Sequence, residues 1–354
     1  MPENQVLVEI KDLHTYFFLA EGVVRAVDGV DLVIKRRQTL GVVGESGCGK
    51  SITSLSLLRL IPPPGRITQG EILYYKPSAG DNGSVDVINI TALNPNGREI
   101  RDIRGNQISM VFQEPMTAMS PVRTVGQQII EAIMLHQKVN KAEARKRAIE
   151  MLARVKMPKP ERTIDDYPFQ LSGGMRQRAV IAMALSCHPH LLIADEPTTA
   201  LDVTTEAQIL DLMRSLQNEL GMAIMYITHN LGVVAEMAEE VAVMYLGKVV
   251  EQTDVKTIFL EPLHPYTQGL LSSIPRLDES IMRGEKRRRL QMIKGMVPDP
   301  YTRLKGCPFH PRCPKVIGDV CDQVEPASIW VRPGHMVRCH LYAEAVKSGP
   351  APSH

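Results

Sequence analysis

The feature that most constrains the fold is a glycine-rich segment at residues 44–51, Gly-Glu-Ser-Gly-Cys-Gly-Lys-Ser. It matches the phosphate-binding loop pattern of a glycine, four free positions and then Gly-Lys-Ser or Gly-Lys-Thr. An apolar run of strand composition, residues 39–43, precedes it. A helical pattern over residues 52–60 follows and is stopped by three prolines. The segment therefore predicts a strand, a loop and a helix in the order that a nucleoside triphosphate site requires.

Within this loop, backbone N–H groups and the helix N-terminus are expected to face the phosphates of a bound nucleotide. Lys50 would then reach the β- and γ-phosphates, and the Ser51 hydroxyl would ligate Mg²⁺. The other predicted nucleotide-binding residues of the loop are Gly44, Glu45, Ser46, Gly47, Cys48 and Gly49. Because a helix N-terminus favours the thiolate form, Cys48 is expected to be reactive until nucleotide protects it.

The bulk properties exclude several classes of protein. With 354 residues, the chain is long enough for one large α/β domain and an appendage. Its 41 basic and 39 acidic residues leave a net charge of +2, which gives no argument for nucleic acid or an anionic membrane surface. No apolar run approaches the roughly 18 residues of a membrane span, and the first residues lack the features of a signal peptide. These properties predict a soluble cytoplasmic protein with reduced cysteines.

Strand-like and helical patterns alternate along the chain. Short strand-like runs fill about the first 75 residues, and helical spacing dominates residues 125–155. Further strand-like runs lie at residues 191–194, 223–227 and 241–245. Alternation of this kind favours a mainly parallel sheet. A composition rich in proline, histidine, arginine and cysteine marks a small extension from about residue 275 onward.

Two acidic residues, Asp195 and Glu196, end the apolar run at residues 191–194. Phosphate-loop ATPases hold Mg²⁺ with a carboxylate at a strand end and orient or activate water with a second group. Asp195 fits the first role and Glu196 the second. Upstream, Ser-Gly-Gly at residues 172–174 predicts a helix start with a capping hydroxyl and exposed N–H groups, which is another candidate anion site.

Together these segments resemble the nucleotide-binding subunit of an ATP-binding-cassette (ABC) transporter over about residues 5–265. Residues 171–178, Leu-Ser-Gly-Gly-Met-Arg-Gln-Arg, are similar to the signature motif of that family. The nucleotide-binding residues that this similarity implies are Ser172, Gly173, Gly174 and Gln177. Gln113 is similar to the Q-loop glutamine that contacts Mg²⁺, and His229 is similar to the switch histidine that contacts the γ-phosphate. The implied catalytic residues are Glu196, His229 and Gln113, and the implied Mg²⁺ ligands are Ser51, Gln113 and Asp195.

The resemblance implies an α/β fold of the ABC type, with an antiparallel β subdomain, a mainly parallel core sheet and a helical subdomain at about residues 115–186. It places the nucleotide-binding domain at residues 1–265 and a small cysteine-bearing extension at residues 266–354. Tyr16 lies where the family stacks an aromatic ring on adenine, with the neighbouring Phe17 as the alternative. Residues 200–202, Ala-Leu-Asp, are similar to the D-loop of the family.

The same resemblance implies how the site is completed and which partners the chain has. Ser172 and Gly174 would complete the γ-phosphate cage of a partner, so that two cassettes close head-to-tail over two ATP molecules. The expected partners are two multi-span membrane permease subunits, a second ABC ATPase subunit in a heterodimer or homodimer, and an extracytoplasmic solute-binding protein. No nucleic acid partner is expected. The chain would lie peripherally on the cytoplasmic face of the cell membrane.

Four of the six cysteines cluster in the extension. They are Cys307, Cys313, Cys321 and Cys339. Clustered thiols in a cytosolic chain predict metal ligands, yet the spacing matches neither a zinc ribbon nor a standard ferredoxin run, so it does not identify the metal. The surrounding sequence, together with His-Pro-Tyr-Thr-Gln at residues 264–268, resembles the ATPases of dipeptide, oligopeptide and nickel ABC importers. That resemblance implies a [4Fe–4S] cluster, with Zn²⁺ or unmetallated thiols as alternatives, in a domain separate from the ATP site.

The expected function is ATP hydrolysis that powers the import of peptides or related solutes across the cytoplasmic membrane. Import of oligosaccharides or nickel is one alternative, because the same group of ATPases serves such transporters. A soluble ABC ATPase acting on nucleic acid or the ribosome is another, disfavoured by the single cassette, the lack of sustained heptads and the near-neutral charge. The transported substrate is selected by other chains, so the sequence does not name it.

Overall fold

The computed structural model describes residues 6–77, 85–113, 118–199, 201–273 and 293–347. Two β-sheets share a core in these ranges, and a group of helices packs beside the larger sheet. The architecture confirms the predicted fold class.

The smaller sheet is antiparallel, with the strand order β2-β1-β4-β5. Its strands are β1 (Val6–Leu19), β2 (Gly22–Lys35), β4 (Gly65–Pro77) and β5 (Val85–Asn89). β1 pairs with β2 on one side and with β4 on the other. Buried side chains such as Ile10 and Ile72 pack against Leu40 and Val42 of the larger sheet. The smaller sheet therefore covers one side of the strand that leads into the phosphate loop.

The larger sheet has the strand order β11-β12-β10-β9-β3-β8-β7-β6. Its strands are β3 (Thr39–Val43), β6 (Ile108–Val111), β7 (Leu191–Asp195), β8 (Ala223–Thr228), β9 (Glu240–Tyr245), β10 (Lys248–Asp254), β11 (Ile329–Arg332) and β12 (His335–Val337). Strands β9, β3, β8, β7 and β6 run parallel. Every residue of β3, β7 and β8 is buried, as expected for parallel strands covered on both faces. The carboxyl ends of β3 and β7 consequently lie at the same edge, where open α/β sheets bind ligands.

Several of the helices begin at a residue whose side chain caps the first turn, such as Thr124, Asn140, Ser172 and Asp202. In chain order the helices are α1 (Lys50–Leu57), α2 (Arg98–Ile103), α3 (Val125–His136), α4 (Lys141–Arg154), α5 (Pro160–Thr163), α6 (Gly173–Leu185), α7 (Val203–Leu220), α8 (Leu231–Met237), α9 (Val255–Leu260), α10 (Pro265–Ser272) and α11 (Gly318–Gln323). The helical pattern predicted over residues 125–155 is divided, because Asn140 accepts the N–H of Glu143 and starts a new helix. Among the described residues, no helix is both long and apolar enough to cross a membrane.

The C-terminal extension continues the larger sheet. β12 pairs with β10 through Glu251 and Val337, and β11 pairs with β12. Phe309 is buried between Tyr245 at the end of β9 and Tyr266 in α10. The extension therefore shares a core with the parallel strands, while the predicted domain boundary at residue 265 stays a prediction.

Candidate functional site

The phosphate loop lies between β3 and α1 and depends on two glycines. Gly44 and Gly49 have φ angles of 156° and 103°. A Cβ atom would lie 2.2 Å from the Met244 carbonyl oxygen at Gly44 and 2.1 Å from the Ala26 carbonyl oxygen at Gly49. Only glycine fits such close backbone approaches. The glycine spacing of the motif thus reflects the packing of the loop against β2 and β9.

Lys50 lies inside the loop rather than in solvent. Its side chain is buried, and Nζ donates to the carbonyl oxygens of Gly44 at 2.8 Å and Glu45 at 3.1 Å. The ammonium is therefore already held by the loop that would bind the phosphates. An anion in this loop would meet a fixed positive charge and the N-terminus of α1.

The environment of the Cys48 thiol differs from the one that the sequence predicts. Its thiol is 3% exposed, and burial raises its pKa even though the neighbouring Lys50 acts to lower it. Desolvation of the thiolate outweighs the ammonium here. The expectation of a reactive Cys48 thiolate is therefore wrong. Burial also raises the pKa of Cys187.

Asp195 at the end of β7 supplies a buried carboxylate beside the phosphate loop. It is 4% exposed and accepts a hydrogen bond from Ser51. Burial raises its pKa, and the charge of Glu196 adds to the effect. Its Oδ1 atom has no hydrogen-bond partner among the described residues. A hydroxyl next to a carboxylate with a free oxygen is the donor set that Mg²⁺ takes beside substrate phosphates, so the residues present fit this ion.

Glu196 brings together the predicted catalytic residues. Its carboxylate accepts from Gln113 Nε2 at 3.1 Å and lies 3.0 Å from Nδ1 of His229. Thr199 Oγ1 also donates to it, at 3.1 Å. The Glu196 backbone has a φ of 47°, a left-handed conformation that is rare for glutamate and often found at functional sites. Thr199 was missed by the sequence analysis, although a hydroxyl three residues after a catalytic carboxylate is a readable signal.

Tyr16, and not Phe17, lines a cavity beside the smaller sheet. Tyr16 and Gly47 both line a cavity of about 890 Å³. The Phe17 ring instead lies against Gly65. The Tyr16 hydroxyl donates to Asp28, and burial together with this carboxylate raises the Tyr16 pKa to about 12. The ring is therefore held as a neutral phenol next to the phosphate loop.

The signature segment lies at the start of α6. Ser172 caps the helix by accepting the N–H of Met175 at 3.3 Å, and both Ser172 and Gly173 are exposed. Gly173 lies against Leu201 and Gly174 against Thr205, in the segment that follows β7. Of the predicted D-loop, Ala200 lies outside the described residues.

Gln177 differs from its neighbours in the signature segment. It is fully buried, and neither polar atom of its amide has a hydrogen-bond partner among the described residues. The structure therefore does not bring this side chain to the exposed surface that Ser172 and Gly173 share, and its contact with nucleotide stays a prediction.

The four cysteines of the extension lie close enough to influence one another. Burial raises the pKa of Cys307 to about 12 and that of Cys339 to about 11, and the neighbouring thiols contribute to both shifts. Cys313 Sγ accepts the N–H of Lys315 and Cys321 Sγ that of Ile317, each at 3.3 Å. In the part of the chain that the structure describes, no group of three or more His, Cys, Asp or Glu residues is arranged to hold a metal ion. The predicted metal site is therefore not confirmed.

The extension contacts the phosphate loop, although the resemblance placed the cysteine site in a domain separate from the ATP site. Arg312, next to Cys313, donates to both carboxylate oxygens of Glu45, at 2.6 and 2.9 Å. The Tyr266 hydroxyl accepts the N–H of Glu45 at 2.9 Å. The extension therefore lies against the end of the sheet from which the phosphate loop emerges, while its status as a separate domain stays a prediction.

A buried histidine beneath this contact predicts a pH dependence of stability. His264 accepts the N–H of Tyr266 at 3.0 Å, and burial lowers its pKa to about 4. The unfolded chain binds a proton at this residue below about pH 6.5, but the folded protein does so only below about pH 4. The contribution of His264 to stability is therefore fully present above pH 6.5 and falls by at most about 3 kcal/mol as the pH drops to 4.

Chemical denaturation at pH 7.0 and pH 4.5 would measure this loss. The His264→Asn variant keeps a capping side chain but cannot gain a proton, so its free energy of unfolding should fall less over the same interval. Equal losses in the wild-type protein and the variant would contradict the assignment.

Comparison with protein families gives two matches along the chain. Residues 27–199 match the family described as ABC transporter, and residues 250–321 match the one described as oligopeptide/dipeptide transporter, C-terminal region. The first match covers the phosphate loop, the signature segment and Glu196. The second covers the β10 strand, the His-Pro-Tyr-Thr segment and three of the four clustered cysteines.

Similar proteins match over nearly the whole chain. A probable peptide ABC transporter ATP-binding protein of Sinorhizobium fredii is 48% identical over 98% of this chain and 98% of its own length. The oligopeptide transport ATP-binding protein AppD of Bacillus subtilis is 48% identical over 96% of this chain and 97% of its own length. Among solved structures, the dimeric ATP-binding cassette MJ0796 in a post-hydrolysis state with ADP and Pi is 29% identical, with a TM-score of 0.59. That alignment covers 70% of this chain and 99% of MJ0796.

Proposed function

The chain belongs to the ATP-binding subunits of peptide ABC transporters, and we propose that it hydrolyses MgATP at the β3–β7 edge to power peptide import. The observation that carries the proposal is the convergence of Gln113 and His229 on the Glu196 carboxylate, next to the phosphate loop. The family supplies the ATPase activity, and the geometry supports the roles proposed for these residues.

The phosphate loop would bind the triphosphate. Its N–H groups and Lys50 would hold the β- and γ-phosphates, because they already form a buried, positively charged cradle. Ser51, Asp195 and Gln113 would hold Mg²⁺, which when bound neutralises charge on the β- and γ-phosphate oxygens. Tyr16 would stack on the base from the adjoining cavity.

Glu196 would act on the attacking water. Its carboxylate orients the water and accepts a proton as the water oxygen bonds to the γ-phosphorus and the bond to the β-phosphate bridging oxygen breaks. Gln113, Thr199 and His229 fix the position of the carboxylate through contacts of 3.0 to 3.1 Å. Positioning of this kind lowers the barrier because the catalytic group need not be ordered during the reaction.

A second ATPase chain would complete each site. Ser172 and Gly173 are exposed at the start of α6, where the helix N-terminus and the capping hydroxyl are available to another subunit. Family membership implies dimerisation, and the similar cassette MJ0796 is dimeric. We infer that closure over ATP brings the signature segment of each chain to the phosphate loop of the other, in a heterodimer or a homodimer.

Membership of this importer family also implies membrane permease partners and a membrane-associated subunit. We propose two multi-span permease subunits, an extracytoplasmic solute-binding protein and a peripheral position on the cytoplasmic face. Affinity purification of the chain from detergent-solubilised membranes tests this arrangement. Permeases should co-purify and raise its ATP hydrolysis rate, whereas a fully active chain without membrane partners would favour a soluble ABC ATPase.

We further propose that the four clustered cysteines hold a [4Fe–4S] cluster. Support comes from the resemblance and from the proximity of the four thiols, which influence one another's pKa; the raised pKa values mean that a bound cluster would have to displace the thiol protons. The N–H groups of Lys315 and Ile317, which donate to Cys313 and Cys321, would also stabilise thiolate sulfurs. A cluster there would order a segment that contains few apolar residues of its own.

Metal analysis of anaerobically purified protein is the test of this cluster. We expect about four iron and four sulfide per chain for a [4Fe–4S] cluster, with broad visible absorption. Cys313→Ser and Cys321→Ser should each lower the iron content, whereas Cys187→Ser, the matched control, should not. One zinc per chain without iron, or protein free of both metals, would contradict the assignment.

A further inference from the structure

A partly buried ion pair joins the C-terminal extension to the phosphate loop. The Arg312 side chain is 5% exposed, and its two terminal nitrogens donate to the two carboxylate oxygens of Glu45. The two residues are 267 positions apart in the chain. A bidentate guanidinium–carboxylate pair of this kind fixes geometry as well as charge.

Three further contacts hold Arg312 in place. Its Nη1 atom also donates to the Tyr245 hydroxyl at 3.3 Å, and its guanidinium lies 5.8 Å from the centre of the Tyr245 ring. Its Nε donates to the carbonyl oxygen of Lys294 at 3.4 Å. Tyr245 in turn packs against Tyr266 and Phe309, with ring centres 4.7 and 5.2 Å away. The guanidinium is thus fixed by a core that β9 and the extension share rather than by solvent-exposed contacts.

Glu45 connects this arrangement to the phosphate-binding lysine. Its carboxylate accepts from Arg312, its N–H donates to Tyr266, and its carbonyl oxygen accepts from Lys50. A displacement of the Glu45 side chain would therefore move the loop backbone that holds the Lys50 ammonium.

The ion pair also affects the electrostatics of the phosphate loop. Glu45 places a carboxylate within the loop that is to bind a triphosphate, and Arg312 is the cation that offsets it. Charges in a partly buried site interact strongly because water screens them little. Without Arg312, the carboxylate would repel the phosphates and would itself remain desolvated.

We propose that Arg312 is a positioning residue of the ATP site, through which the C-terminal extension sets nucleotide affinity. It neutralises Glu45 and holds the loop backbone around Lys50 in the conformation that receives the phosphates. The proposal rests on the proposed function, because it requires the loop to bind MgATP.

Calorimetric titration of the full-length chain with MgATP tests the proposal. Arg312→Gln should raise the dissociation constant about 10-fold or more, because it leaves the Glu45 carboxylate unpaired. The double variant Arg312→Gln, Glu45→Gln should return to within about threefold of the wild type, since neither charge is left without its partner. Arg312→Lys keeps the charge but loses the bidentate geometry. Its affinity should be about threefold weaker than that of the wild type, and thus higher than that of Arg312→Gln.

The matched control is Arg332→Gln, which removes an exposed ion pair with Glu261 in the same extension and should leave affinity unchanged. Unfolding temperatures of all variants identify any that fail to fold, in which case Arg312→Lys and the double variant carry the test. Wild-type affinity in Arg312→Gln or Arg312→Lys would overturn the proposal, as would a double variant as weak as the single one. Failure of the wild-type chain itself to bind MgATP would instead refute the proposed function.

Discussion

The Glu196→Gln variant is expected to hydrolyse ATP about 1000-fold more slowly than the wild type while keeping its affinity for MgATP within about threefold. Glutamine has nearly the same shape as glutamate, so the contacts with Gln113 and His229 persist in part. An amide, however, cannot accept the proton of the attacking water. Steady-state phosphate release and equilibrium MgATP binding measure the two quantities separately.

The same variant should accumulate a closed, ATP-bound dimer, because closure depends on binding and reopening depends on hydrolysis. Light scattering with and without MgATP would detect it. Near-wild-type phosphate release by Glu196→Gln would remove the role assigned to this carboxylate.

Lys50→Ala is expected to change the second quantity, the affinity for MgATP. The variant removes the fixed positive charge of the phosphate loop, and nucleotide affinity should fall about 100-fold or more. The carbonyl oxygens of Gly44 and Glu45 would also lose their donor, so the loop itself should become less ordered. Calorimetric titration with MgATP measures the change. Lys11→Ala, which removes an exposed ion pair with Glu9, is the control that should bind normally. Wild-type affinity in Lys50→Ala would contradict the assignment of the loop.

Local sequence predicted the phosphate loop because its motif and the strand and helix patterns beside it all lie within residues 39–60. Gly44 and Gly49 are required by close backbone approaches, and the flanking strand and helix have readable patterns. The contacts of Gln113 and His229 with Glu196 are not local, because the two residues are 83 and 33 positions away from it in the chain. Only the order of β6, β7 and β8 in the sheet brings them together, and the sequence analysis assigned them to one site only through the resemblance to a family.

Burial and long-range packing account for what the sequence analysis did not predict. The reactivity of Cys48 was inferred from its helix N-terminus, but its pKa is set first by packing that no local pattern reveals. The separate domain of the extension was implied by the resemblance, and its contact with the phosphate loop was not predicted. The contact between Arg312 and Glu45 requires the extension to lie against the end of the parallel sheet, which the pairing of β12 with β10 produces. A pair separated by 267 residues has no signal in one sequence.

Peptide uptake by the reconstituted complex is the most direct measurement of ATP-driven import. The chain, purified with its membrane partners and solute-binding protein, is placed in proteoliposomes so that MgATP reaches the ATPase side and labelled peptides reach the other. Uptake should require MgATP, should be accompanied by phosphate release, and should cease when the complex carries Glu196→Gln. Peptide uptake that persists with Glu196→Gln, or phosphate release by an intact wild-type complex that moves no peptide, would contradict a peptide importer powered by this chain.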